Sequence, residues 1–284
     1  VRVECEKNII HFKFYIMSNL DNKKWWDENT MSYTDWDLNG KIRLKDDPES
    51  ISEVNQKYID SNPYLKDFFT NLISKKNNNT LIFDKVLDIG CGWGSSSILL
   101  SNLFSEVHAI DISSTSILKA KKNIDLAQKK NIKLEEFDAE NLNEKNTYEF
   151  IYSWGVIHHS VNPLKIYKNM FNSLNQGGSF MIMVYNRNSL RYWFKGLYQL
   201  FVKLKILKGY NLENVQKFFT DGYYHKHYDA KELIVELKSI GFRDLKYELT
   251  HMEKNYIPFL KKGSFVDNFF KKNFGWLLVV SGKK

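Results

Sequence analysis

Residues Val86 to Gly94 read VLDIGCGWG, and this stretch restricts the chain more than any other. Two apolar residues lead through Asp88 and Ile89 into glycines at alternate positions, Gly90, Gly92 and Gly94, with the apolar-periodic run SSSILLSNLF directly behind. The pattern predicts a buried strand, a tight turn and the start of a helix. Glycines in such a turn permit positive φ and let a ligand lie against the main chain where a Cβ would collide. The turn therefore faces something flat or extended, of which a nucleotide is the obvious candidate. A dinucleotide fingerprint would need glycine where Ser95 stands, and a triphosphate-binding loop would need a following Gly-Lys-Ser/Thr, which is absent.

From Lys85 onward, strand-like and helix-like stretches alternate. EVHAID (Glu106 to Asp111) predicts a second strand, and SSTSILKAKKNIDLAQKK a helix capped by Ser113 or Ser114. IKLEEFDAE and YEFIYSWG predict strands three and four, PLKIYKNMFNSL a helix, and SFMIMVYN a fifth strand after the turn NQGG. AKELIVELKSIG reads as a helix ending at Gly241, with FRDLKYELT and FGWLLVVSGKK as two late strands. Strands separated by helices of this length give a mostly parallel sheet with helices on both faces, whose ligands bind beyond the carboxyl ends of the strands.

The spacing Asp88-x-Gly90-x-Gly92-x-Gly94 resembles the first motif of the class I S-adenosylmethionine-dependent methyltransferases, closely over residues 85 to 185 and in outline elsewhere. The resemblance implies a Rossmann-like fold of seven strands with an antiparallel last strand, and S-adenosyl-L-methionine as cofactor. It also implies that Asp88 orders the glycine loop around the amino-acid end of the cofactor. Asp111, followed by Ile112, ends strand two, where a carboxylate can accept the ribose hydroxyls of an adenosine; a dehydrogenase would place an acid there too. Strand three ends Asp138-Ala139-Glu140, and an acid here is implied to take the exocyclic amine of adenine, with Asp138 the choice and Glu140 the alternative that caps the following turn.

Strand four ends Ser153-Trp154-Gly155-Val156-Ile157-His158-His159, similar to the segment that walls the transfer site in small-molecule methyltransferases, including the quinone-biosynthesis type, and the resemblance implies Ser153 and Trp154 as cofactor contacts. Asn/Asp-Pro-Pro-aromatic, catalytic Pro-Cys and metal-binding Asp patterns of other methylating enzymes are missing, so no catalytic metal is expected. The enzyme must align the acceptor with the S–C bond, exclude water and, for a hydroxyl or thiol, take a proton. His158 and His159 titrate in a useful range, one as a base and the other packed below the cofactor. Trp93 places a bulky indole in the cofactor loop, where it would narrow the pocket.

The chain divides by expectation into residues 1 to 80, an amino-terminal extension and helical lid, and 81 to 284, a methyltransferase domain with a helical insertion at about 188 to 228. NPYLKDFFTNLISKK has apolar residues at helical spacing, and WWDENTMSYTDWD is read as a lid in which Tyr33 and Trp36 touch the cofactor or acceptor. In the insertion and its flanks, Tyr185, Arg187, Arg191, Tyr192, His225 and His227 are the acceptor-pocket candidates, through aromatic stacking and pairing with an acidic acceptor. The plainer expectation for residues 190 to 208 is a helical lid with its apolar face packed on the domain and its lysines in water. A competing one lays them on a membrane surface for a lipid or quinone acceptor.

Composition sets the remaining bounds. Apolar content of 43% and charged content of 26% describe a globular chain, and 41 Lys plus Arg against 33 acids give a diffuse +8 without a nucleic-acid-like block. Cys5 and Cys91 make no disulfide framework, so a reducing cytoplasm is expected. The opening VRVECEKNIIHFKFYIM lacks a signal-peptide cleavage pattern, and Met17-Ser18-Asn19 would suit a start. The leading expectation is a methyltransferase acting on a small molecule. A non-catalytic cofactor-binding protein and a nicotinamide dehydrogenase are the alternatives.

Overall fold

The computed structural model describes residues 20–30, 55–56, 58–59, 63–77, 84–251 and 264–284. Helix α1 spans residues 20–28 and α2 Pro63–Asn77. The alternating core follows as β1 Lys85–Ile89, α3 Ser95–Leu100, β2 Glu106–Asp111, α4 Ser114–Leu126, β3 Ile132–Glu136, β4 Tyr148–Trp154, α5 Pro163–Ser173 and β5 Leu174–Asn186. Helix α6 (Leu190–Leu197) opens the insertion, and β6 (His227–Tyr228), α7 (Ala230–Ile240), β7 (Arg243–Thr250), α8 (Phe265–Phe274) and β8 (Leu277–Lys283) complete the chain.

One sheet runs β3-β2-β1-β4-β5-β8-β7, with β1 to β5 parallel and β8 inserted antiparallel between β5 and β7. The alternate residues of each strand serve two separate apolar layers. Val86, Phe150 and Met181 join Leu65, Phe69 and Leu72 of α2, while Leu87, Ile151 and Ile182 join Tyr167 and Met170 of α5 and Leu233 and Leu237 of α7. Both faces are covered, which is why the central strands read as unbroken apolar runs rather than alternating ones.

Two departures from the sequence expectation have physical causes. NQGG is not a turn before β5 but an irregular beginning of the strand: Leu174 already pairs Tyr148, and the register with β4 slips before Ser179 meets Phe150. The second departure is an eighth strand. Trp154 meets Met183 at the last rung of β4 on β5, so the end of β5 outruns its neighbour and leaves backbone groups to satisfy. His227 and Tyr228 pair there with Tyr185 and Asn186, forming β6. This short pairing carries the far end of the insertion back to the carboxyl edge of the sheet.

Among the described residues no helix is long and apolar enough to cross a membrane.

Candidate active site

The glycine turn after β1 has the predicted backbone. Gly90, Gly92 and Gly94 take φ of 73°, 54° and 87°, and the amides of Gly90 and Cys91 both donate to the carbonyl of Ile110 on β2. A Cβ on Gly90 would lie 2.2 Å from Val156 Cγ2, so glycine is required by packing as well as by φ. A Cβ on Gly92 would meet nothing within 4 Å, which leaves the outer surface of the turn open. The indole of Trp93 lies under Lys119 of α4, with Nζ 4.1 Å from the ring.

Asp88 sits below this turn, buried, and its Oδ2 accepts from the hydroxyls of Ser96 (2.7 Å) and Ser97 (2.6 Å) at the start of α3. The carboxylate thus ties the strand to the helix on either side of the glycines. Its Oδ1 is buried with no partner, a vacancy in hydrogen bonding suited to a donor from a bound ligand. Asp111, at the end of β2, accepts from Gly92 N (2.9 Å) with Oδ2 and from Ser113 N (2.8 Å) with Oδ1. Each oxygen retains lone-pair capacity for a hydroxyl beyond these bonds.

Burial raises both carboxyl groups to about 6. A ligand that uses ionised Asp111 therefore loses affinity as the pH falls through 6, where the carboxylate takes a proton. Folding carries the opposite sign: a carboxyl whose folded value exceeds the unfolded 3.8 opposes folding above pH 6, and that cost disappears as the pH falls toward 4. Calorimetric titration with S-adenosylhomocysteine at pH 7.5 and pH 5 is expected to show about tenfold weaker binding at the lower value. Equal affinity at the two pH values would remove Asp111 from the contact.

At the end of β3 it is Asp138, not Glu140, that caps the following turn, Ala139–Asn141, by accepting from Glu140 N at 2.9 Å. Glu140, buried, accepts from Ser160 Oγ (2.6 Å) and Asn162 N (3.0 Å), fastening this turn to the loop after β4. Ser153 spends its hydroxyl on Ile89 O at 3.1 Å, and Trp154 stacks on Tyr64 of α2, so both are buried within the fold.

The loop after β4 places His158 and His159 beside Tyr185 at the end of β5. Ring centroids lie 4.0 Å apart for the two histidines and 3.9 Å for His158 and Tyr185. Tyr185 also stacks on Trp276 at 4.3 Å, and β6 brings His227 to 5.7 Å from the same ring. His225 stands 5.8 Å from His227, and Tyr192 of α6 packs edge-on against His227 at 4.9 Å. Arg191 lies over Trp276 and donates to Phe219 O at 3.0 Å. Arg187 points elsewhere, into an exposed pair with Glu232 of α7 at 2.8 Å.

Burial pushes all four histidines below their usual range, His159 to about 4. The cluster is neutral at physiological pH. His159 Nδ1 lies 2.8 Å from Tyr224 O, and because a carbonyl only accepts, Nδ1 carries the proton and Nε2 the lone pair. Both ring nitrogens of His158, Nδ1 of His225 and Nε2 of His227 are buried without a partner. Orphaned polar atoms at that density, each costing about 1–3 kcal/mol, mark a place where a ligand or water completes the bonding. Among the described residues no group of three or more His, Cys, Asp or Glu is placed to hold a metal ion.

Helix α1 lies across the top of this crevice, which the sequence reading located only as an aromatic lid. Asp27 Oδ1 accepts from the Ser113 and Ser114 hydroxyls (2.9 and 3.1 Å) and Thr115 N (3.3 Å) at the start of α4. Lys23 Nζ donates to Ile112 O (3.1 Å) and pairs with Glu136 (2.5 Å), and Asn22 donates to His159 O at 3.2 Å. Trp26 meets the His159 ring edge-on at 5.0 Å. Asn22, Lys23 and Asp27 share one helical face, a pattern present in the sequence but less conspicuous than the neighbouring tryptophans. Tyr33 and Trp36 lie outside the described residues.

The glycine turn, the acids at three strand ends and the sheet order meet in a match of the methyltransferase-domain family to residues 84–226. The chain belongs to this family. The chain is 27% identical over 203 residues to phosphoethanolamine N-methyltransferase 3 of Arabidopsis thaliana, an alignment covering 68% of the chain and 38% of the relative. It is 26% identical over 210 residues to the ubiquinone biosynthesis O-methyltransferase of Glaesserella parasuis, covering 71% of the chain and 79% of the relative. The chain thus spans well under half the length of the plant relatives and most of the bacterial one. The S-adenosylmethionine-dependent methyltransferase of Mesorhizobium loti superposes with a TM-score of 0.50 at 15% identity, over 70% of this chain and 90% of that one. The fold of the chain is that of the class I S-adenosylmethionine-dependent methyltransferases.

Proposed function

We propose that the chain transfers a methyl group from S-adenosyl-L-methionine to a small-molecule acceptor seated among His158, His159, Tyr185, His225, His227 and Trp276. The observation that carries this reading is the placement of unpartnered, neutral histidine nitrogens at the same strand ends as the glycine turn and its two buried acids. The unbonded Oδ1 of Asp88 and the open surface over Gly92 fit the amino-acid end of the cofactor, and Asp111 fits the ribose. When bound, the cofactor supplies an electrophilic methyl on a sulfonium.

Everything else falls to the chain. Asp88 holds Ser96 and Ser97 so that the glycine turn keeps its shape, and α1 closes over the crevice through Asp27 and Lys23, excluding water. His159, with its Nδ1 proton fixed on Tyr224 O, presents Nε2 as the acceptor for a proton leaving an O–H or N–H nucleophile. Burial lowers its basicity but keeps it unprotonated throughout the neutral range. Tyr185 and Trp276 form an aromatic wall, and Arg191 beside it supplies positive charge for an acidic group on the acceptor.

The reading is tested with purified protein, labelled methyl donor and a panel containing phosphoethanolamine and hydroxylated aromatic compounds, following labelled product and S-adenosylhomocysteine. Turnover is expected on one class, falling about a hundredfold or more in His159→Asn while affinity for S-adenosylhomocysteine stays within a few-fold. Tight cofactor binding with no product from any panel member would favour a non-catalytic binding role instead.

A further inference from the structure

The insertion after β5 does not pack down as its sequence suggests. Tyr192, Gly196 and Leu200 form the buried stripe that continues from α6 into the following turn, and Gln216 holds that stripe by donating to Tyr192 O at 3.1 Å. A second, apolar face is exposed, carrying Trp193, Phe194, Leu197, Phe201 and Val202. Beyond them the chain forms a tip in which Leu204, Ile206 and Leu207 are exposed, Leu207 by 78%. Leu204 adopts φ of 52°, a left-handed conformation that a branched apolar residue takes at a cost, and it does so without gaining burial. A helix that buries one apolar stripe and leaves a second apolar face in water needs another apolar phase.

Charge says which phase. Residues 187–212 contain Arg187, Arg191, Lys195, Lys203, Lys205 and Lys208 and not one Asp or Glu. The lysines stand among the exposed rings: Lys205 Nζ is 3.7 Å from the Phe218 ring centroid, and Lys203 Nζ is 5.7 Å from that of Tyr198. Aromatic and aliphatic side chains flanked by Lys203, Lys205 and Lys208, with the nearest following acid at Glu213, match the boundary between headgroups and acyl chains of an anionic bilayer. A second copy of this chain or an apolar protein partner would satisfy the leucines but leave the concentrated positive charge without its complement.

We infer that residues 193–208 dock the protein on an anionic lipid surface, with the tip Leu204, Ile206 and Leu207 entering the interface and Lys203, Lys205 and Lys208 meeting lipid phosphates. The docked face adjoins the acceptor chamber, because Arg191 and Tyr192 of the same helix touch Trp276 and His227. Membrane docking of this kind is independent of whether methyl transfer occurs.

Flotation with phosphatidylcholine vesicles containing about 30% phosphatidylglycerol is the test. Binding is expected to the mixed vesicles, to be at least tenfold weaker on pure phosphatidylcholine, and to weaken as salt is raised. Leu207→Glu is expected to reduce binding more than tenfold, and the double variant Lys203→Gln with Lys205→Gln by a similar factor, at about fivefold per lysine. Lys203 and Leu207 are exposed and Lys205 partly so, and unchanged affinity of the variants for S-adenosylhomocysteine would show that the fold is intact. Failure of the wild-type chain to float with the mixed vesicles overturns the inference. Flotation unaffected by these substitutions, or a concentration-dependent dimer abolished by Leu207→Glu without vesicle binding, overturns it equally.

Discussion

Replacing Asp111 by alanine is expected to weaken binding of S-adenosylhomocysteine by about a hundredfold. The carboxylate has two duties at once. It holds the turn and the start of α4 in place through Gly92 N and Ser113 N, and it retains capacity on both oxygens for the ribose hydroxyls. Bonds to a charged group contribute about 1.5–3 kcal/mol each, so loss of two on the ligand side corresponds to about 3 kcal/mol or more. Removing a buried carboxylate that is costly to ionise offsets the loss of the acceptor for Gly92 N and Ser113 N, so the unfolding midpoint of Asp111→Ala should move little while binding falls far. Isothermal calorimetry and thermal unfolding measured on the same preparation separate these effects. A drop in both together would show that the residue acts only through the fold.

The second large effect is expected at Gly90. Gly90→Ala forces a Cβ into Val156, whose three side-chain carbons lie 2.2–2.8 Å from that position, on a backbone with φ of 73°. Left-handed φ costs an alanine about 1–2 kcal/mol and overpacking another 1–3 kcal/mol, so stability should fall by about 2–5 kcal/mol. In a unit of this size that lowers the unfolding midpoint by roughly ten degrees. Adding Val156→Ala removes the two closest carbons but leaves Cβ at 2.8 Å and the backbone cost in place, so the double variant should recover part of the loss and be more stable than Gly90→Ala alone. If it is less stable by the full cost of both changes, the collision with Val156 is not what excludes alanine.

The strand order shows how far periodicity reaches. The apolar runs of β1, β4 and β5 and the capped helices between them are local features, and each strand was legible because burial on both faces demands apolar residues at every position. Glycines at positions 90, 92 and 94 were legible because positive φ leaves few other choices. The division of labour between Asp138 and Glu140 was not, since two acids separated by one residue look alike until the loop carrying Ser160 and Asn162 arrives next to one of them. Ser153 and Trp154 were read as cofactor contacts from their position at a strand end. The alternation of the strand puts them on opposite faces, where Ser153 bonds Ile89 O and Trp154 stacks on Tyr64 of α2.

By itself, then, the order of residues determined the parallel sheet, the glycine turn and the acids at the ends of β1, β2 and β3, because strand and helix patterns and special backbone conformations are written over a few neighbouring positions. Only the tertiary structure decided the histidine chamber, the clasp of α1 and the exposure of the insertion. Each depends on distant segments meeting: β6 on the overhang of β5, Asp27 on the start of α4, and the face of α6 on how little of the domain remains to cover it.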